Sequence, residues 1–215
     1  GKYVKLFEKS FSKFIKSKYT LSTTSGTTAL HLTLASLGIK KNDEIILPNL
    51  TFISPVNAAI YLGAKPILVD IDESNLCIDP KKIEKAITKK TKAIVVVYLF
   101  GHGCDIDKIK RIAKKYKLLL VEDCAEGMGT YCKNRHVGNF GDASTFSFFG
   151  NKTITTGEGG MVCFKKKKYF EIAKKLRDHG MSLKKRYWHN YIGFNYRMTN
   201  MQAAVGFAQM ERIKF

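Results

Sequence analysis

The chain has 215 residues, 45% hydrophobic and 12% aromatic, with a formal net charge of +19, and a length of this size favours one folded domain with a substantial core. Its longest apolar run, residues 94–100, falls far short of the roughly 20 residues a membrane span requires, and no apolar signal core precedes a cleavage site, so the expectation is a cytoplasmic protein with no membrane partner. The positive excess is mostly lysine scattered over many predicted helices, with one tight run at 165–168 and no aromatic ladder beside it; a solvated basic surface accounts for it better than a nucleic-acid partner does.

Residues 2–18 place Val4, Phe7, Phe11, Phe14 and Ile15 at helical spacing, which predicts an opening helix. A short strand at 19–22 follows, then the polar turn Thr24-Ser25-Gly26-Thr27-Thr28 and an amphipathic stretch at 27–37. Apolar, strand-like runs at 44–47, 67–69, 93–97, 118–121, 143–148 and 161–164 then alternate with helical patterns at 55–61, 80–87, 105–116 and 169–179. Punctuation such as Asp79-Pro80 and Gly180 marks their ends, and another helix begins after Thr199. Most of the strands are apolar throughout, as strands covered on both faces are. Strand alternating with helix predicts an α/β fold, a mainly parallel central sheet flanked by helices, in one domain over 1–215. Starting without a methionine and stopping at Phe215 just after a helix, the chain reads as a fragment. Five cysteines, an odd number with no zinc-knuckle or redox spacing, read as reduced thiols, so no metal site is expected. The Asn-x-Thr matches at Asn49 and Asn151 are then chance.

Four separated segments together suit an aromatic cofactor carrying a phosphate, which needs an anion cradle, a ring cover, a counter-charge for the ring nitrogen and a covalent tether. Thr24 to Thr28, between a strand and a helix start, offers backbone N–H groups and hydroxyls to an anion; an ordinary Ser/Thr N-cap reads the same way. In Pro48-Asn49-Leu50-Thr51-Phe52 the aromatic can stack on a flat ring, or belong to the core. Asp123 ends the apolar strand of Val121-Glu122-Asp123-Cys124-Ala125-Glu126 at the edge where α/β sheets gather ligand groups, and a carboxylate there keeps a pyridine nitrogen protonated, unless it caps the next turn. Lys152 stands between an apolar strand and the turn Gly157-Glu158-Gly159-Gly160, in a shaped, partly dry place that makes its amine a nucleophile toward an aldehyde, and Ser147 adds a hydroxyl to the cradle. Gly150-Asn151-Lys152-Thr153 is not a phosphate-binding P-loop, because Asn separates Gly from Lys and the upstream glycine is absent. Gly101-His102-Gly103 likewise lacks the third glycine of a dinucleotide fingerprint.

These segments, with Thr24 to His31 and Ser147 to Gly160 in full, resemble the DegT/DnrJ/EryC1/StrS family of sugar aminotransferases, most of all its GDP-perosamine synthase branch. The similarity runs in order over nearly the whole length. It implies a fold type I pyridoxal-phosphate enzyme, of which 1–215 would be the large, cofactor-binding domain with the C-terminal small domain absent. It also implies a homodimer with shared active sites. On that resemblance Lys152 is the catalytic, Schiff-base lysine, Asp123 the partner of the pyridine nitrogen and Phe52 the aromatic over the ring. Ser25, Gly26, Thr27 and Ser147 fall where the family binds phosphate, and Glu126 where a polar side chain lies beside the cofactor. Asn195 or Arg197 matches a segment that reaches the neighbouring subunit's cofactor phosphate. His179 matches a segment near the sugar, or is a helix-terminal histidine complementing the dipole. The implied reaction moves an amino group from L-glutamate to a nucleotide-linked 4-keto-6-deoxy sugar, for surface polysaccharide or glycan biosynthesis. The alternatives are a C3 sugar or cyclitol aminotransferase on the same scaffold, and a catalytically inactive basic binding module. The family usually has histidine at Tyr98 and often proline at Gly103, so a local difference is expected there.

Overall fold

The computed structural model describes residues 1–182 and 184–213. Its first half runs α1 (Lys2–Ile15), β1 (Tyr19–Thr23), α2 (Gly26–Ser36), β2 (Glu44–Pro48), α3 (Ser54–Tyr61), β3 (Lys65–Val69), the short pair β4 (Ile71–Asp72) and β5 (Cys77–Ile78), α4 (Pro80–Ala86) and β6 (Thr91–Val97). Its second half runs α5 (Ile106–Lys115), β7 (Leu119–Asp123), the short pair β8 (Tyr131–Cys132) and β9 (Arg135–His136), β10 (Ala143–Ser147), β11 (Gly160–Phe164), α6 (Lys167–Arg177) and α7 (Asn200–Arg212). Every helix and long strand expected from the sequence is present, with ends shifted by up to three residues. The short pairs and a one-turn 3-10 helix at Leu99–Gly101 have no counterpart among the expectations.

Seven strands form one sheet in the order β1-β11-β10-β7-β6-β2-β3. The pairs β10–β7, β7–β6, β6–β2 and β2–β3 are parallel, while β11 runs antiparallel to both β10 and β1, so β11 alone opposes the rest. Side-chain alternation splits the apolar strands between two cores. Ile46, Ile94, Val96 and Leu120 face α1, α4, α5 and α7, and Ile45, Leu47, Ala93, Val95 and Val121 face α2, α3 and α6. With both faces covered, the strands need no polar alternation, which is why they read as continuous apolar runs.

Local chemistry starts the helices. Ser25 and Thr28 form a reciprocal capping box on α2, Thr199 and Gln202 form another on α7, and the side chains of Asp79 and Asp105 cap α4 and α5. The buried stripe Phe7, Phe11 and Ile15 of α1 presses on Phe146 and Phe148, with Phe11 to Phe146 ring centroids 5.0 Å apart. Gly206 of α7 lets that helix come close, since a Cβ there would stand 2.7 Å from Phe7.

One carboxylate, Glu122 of β7, is fully buried and fully occupied. It accepts the Tyr98 hydroxyl at 2.7 Å and the backbone N–H groups of Gly138, Phe140 and Gly141 at 2.8, 2.7 and 2.6 Å. Burial pushes its pKa up and these donors hold it back. The result pins the 138–141 loop beneath the strand that carries Asp123. At Gly103 a Cβ would stand 2.9 Å from Cys132 Sγ, so the loop there fits closely around a residue without a side chain. The five cysteines are unpaired.

Candidate active site

Because six strands point one way, their C-terminal ends share an edge, and the residues that follow them converge on a cavity of about 410 Å³. Ser25, Gly26 and Thr27 arrive after β1, Thr51, Phe52 and Ser54 after β2, Asp123 and Glu126 at the end of β7, and Ser147 and Lys152 at the end of β10. A cavity of this size matches ordinary small-molecule sites, which span roughly 300–1,000 Å³.

At one end lies the start of α2. The Ser25 hydroxyl accepts the Thr28 N–H at 3.1 Å while Thr28 Oγ1 accepts the Ser25 N–H at 2.9 Å, so Ser25 does serve as an N-cap. The first-turn N–H groups of Gly26 and Thr27 stand ahead of the intrahelical ladder, at the positive end of the dipole, where an anion is favoured. Gly26 is required for the approach of β10: a Cβ there would come within 2.8 Å of Ser147 Cβ. Thr27 Oγ1 pairs with Ser54 Oγ at 2.7 Å, and buried Thr51 Oγ1 has no partner among the described residues. Thr51, Ser54 and Glu158 line the cavity without having been expected there. Ser54 is the residue just before Pro55 at a helix start, a signal present in the sequence.

Asp123 is buried at the cavity floor, and its Oδ1 accepts the Ala125 N–H at 3.0 Å. Burial pushes its carboxyl up to about 6; the Ala125 N–H and the Lys152 charge draw it down, while Glu126 adds to the rise. It is therefore ionised at neutral pH with capacity for a further donor.

Lys152 Nζ lies 3.1 Å from Glu126 Oε1, the lysine side chain only 18% exposed. The loop that carries it is tied down on both sides. Phe148 N–H donates to Gly159 O at 2.8 Å and Thr156 N–H to Phe148 O at 2.9 Å, while Gln209 of α7 accepts from Thr155 N and donates to Thr155 O at 3.0 and 2.9 Å. Gly157 takes the left-handed φ of 78 that turns the chain back toward β11.

Phe52 lines the mouth and is 72% exposed, so it does not belong to the core. Asn195, Arg197 and His179 gather elsewhere. Arg197 Nη2 is 3.2 Å from His179 Nε2, its Nη1 2.9 Å from Asp178 Oδ1, and its Nε 3.4 Å from Asn195 Oδ1. None of the three lines the Lys152 cavity.

The donor set fits a flat, phosphate-bearing aldehyde: N–H groups and hydroxyls for an anion at one end, a buried carboxylate for a ring nitrogen, and a sheltered amine for a carbonyl. The Thr51 hydroxyl, unpartnered among the described residues, is consistent with an occupant.

The sequence profile described as the DegT/DnrJ/EryC1/StrS aminotransferase family matches residues 1–215. GDP-perosamine synthase of Escherichia coli O157:H7 is 49% identical over 212 residues, which are 99% of this chain and 58% of that protein. The aminotransferase from Psychrobacter cryohalolentis has a TM-score of 0.93 at 36% identity, covering 99% of this chain and 56% of that one. NtdA from Bacillus subtilis, solved with bound cofactor PMP, has a TM-score of 0.93 at 35% identity, covering 98% of this chain and 48% of that one. The chain thus spans between 48% and 58% of the length of these relatives.

Proposed function

Since the chain belongs to the DegT/DnrJ/EryC1/StrS aminotransferase family, we propose that residues 1–215 are the pyridoxal-phosphate-binding large domain of a cytoplasmic sugar aminotransferase. L-glutamate is the amino donor and a GDP-linked 4-keto-6-deoxy sugar the acceptor. The observation that carries this reading is that Lys152 and Asp123 line one cavity whose far end is a helix N-terminus.

When bound, the cofactor supplies an aldehyde and a protonated ring that withdraws electrons from the carbon losing or gaining the amino group. The chain's own residues supply the rest. The first turn of α2, with Ser25, Gly26, Thr27 and Ser147, holds the phosphate. Asp123, ionised above about pH 6, keeps the ring nitrogen protonated, and Phe52 covers the ring. The Lys152 amine anchors the cofactor and, once displaced, takes and returns a proton at the substrate carbon. His179 belongs to the sugar side. Asn195 and Arg197 serve the cofactor phosphate of a second subunit in a homodimer, a role supported by their separation from the chain's own cavity.

Borohydride reduction of the full-length protein with pyridoxal phosphate tests the anchor. The labelled peptide is expected to contain Lys152; one without it rules the assignment out. Assays of GDP- and dTDP-linked keto sugars with glutamate then test the acceptor, with turnover expected on the GDP-linked 4-keto sugar.

A further inference from the structure

Four charged side chains line the cavity, Asp123, Glu126, Lys152 and Glu158, and Glu126 is gripped from two directions. Its Oε1 meets Lys152 Nζ at 3.1 Å while its Oε2 accepts the Phe100 N–H at 2.7 Å. That N–H is aimed by a backbone that residues with a Cβ rarely adopt: Phe100 has φ 53 and ψ 23, in the left-handed region. Its ring is 69% exposed, so side-chain packing does not account for the conformation. Behind it, Thr130 Oγ1 donates to Gly101 O at 2.9 Å and fixes the turn. Glu126 cannot swing away from the amine without giving up its backbone donor.

We propose that Glu126 is the proton acceptor of Lys152, holding the nitrogen toward the cofactor carbonyl and taking the proton released when the lysine bonds to it. The inference rests on reading Lys152 as the anchoring amine. In that step the lysine enters as an ammonium group. Its N–H bond breaks, the proton passes to Glu126 Oε1, and the freed electron pair forms a bond to the aldehyde carbon. The carbonyl oxygen then leaves as water, taking the two remaining nitrogen protons, so one lysine ammonium and one aldehyde give one C=N bond, one water and one proton. The proton returns from Glu126 when the lysine is released. No other carboxylate among the described residues is bonded to Lys152: Asp123 is held by the Ala125 N–H, and Glu158 engages Thr156 and Gln202 through its backbone carbonyl.

The test uses full-length, cofactor-stripped protein with Glu126→Gln, Glu126→Ala and Glu126→Asp. Two rates are read: capture of pyridoxal phosphate by stopped-flow absorbance, and reductive methylation of Lys152 by formaldehyde with cyanoborohydride as the reductant, followed by peptide mass spectrometry without any cofactor. The expected result is capture slowed about tenfold or more in Glu126→Gln, slower methylation of Lys152, partial retention in Glu126→Asp, and recovery of Glu126→Ala by added formate in proportion to its concentration. Wild-type rates in Glu126→Gln, or a Glu126→Ala protein indifferent to formate, overturn the proposal. If wild-type protein instead bonds the cofactor at another lysine, the functional reading itself falls. If it bonds at Lys152 and Glu126→Gln is unaffected, this inference alone falls.

Discussion

Burying Asp123 as a carboxylate works against the fold while the cavity lacks a cationic guest. An Asp with an ordinary value of 3.8 raised to about 6 binds protons more tightly folded than unfolded, so stability falls as pH rises between those values and stays lower above them. The difference corresponds to about 3 kcal/mol at neutral pH. Asp123→Asn is therefore expected to raise the urea midpoint of cofactor-free protein at pH about 7.5, to leave it nearly unchanged at pH about 4, and to weaken binding of pyridoxal phosphate. Gly26→Ala acts through shape rather than charge. Its methyl would stand 2.8 Å from Ser147 Cβ, so the cradle must open, and a spectral titration is expected to show cofactor affinity reduced about tenfold, equivalent to roughly 1.4 kcal/mol.

At the scale of elements, β7 carries two carboxylates side by side, Glu122 with four donors and Asp123 with one, so only Asp123 has spare capacity. Tyr98→Phe removes one of the four donors to Glu122, which is expected to cost about 1–3 kcal/mol in urea unfolding without moving Asp123. Helices and long strands were legible because the sheet is covered on both faces and several helices announce their starts, as Asp79-Pro80 and Thr199 do. The two-residue pairs and the turn at Leu99–Gly101 were not, because segments so short have no period. The same limit governs the site. Lys152, Asp123 and Gly26 sit at strand or helix ends, where position follows from topology, and they do meet in one cavity. Thr51 and Glu158 lie in irregular loops, and nothing in their spacing says which way they point. Nor does spacing reveal that Asn195, Arg197 and His179 bond to one another and not to the cavity.

At the scale of the whole molecule, polar links join stretches distant in the chain. Arg177 of α6 reaches Glu8 of α1 at 3.0 Å and Ser22 O of β1 at 2.8 Å, the paired side chains being 18% and 19% exposed. Arg177→Met is expected to cost about 2–3 kcal/mol, below the fully buried range because some water remains, and a double-mutant cycle with Glu8→Gln measures the coupling. Among the described residues no helix is long and apolar enough to cross a membrane.

The reversed strand β11 has a consequence for synthesis. Within the sheet, among the described residues, β1 pairs only with 160–164, so a chain emerging from the ribosome carries Tyr19–Thr23 unpaired until more than two-thirds of these residues have been translated. The amide pocket that follows β1 is thus unsupported for most of elongation, and a pause once Phe164 has cleared the ribosome would give the nascent polypeptide time to close it.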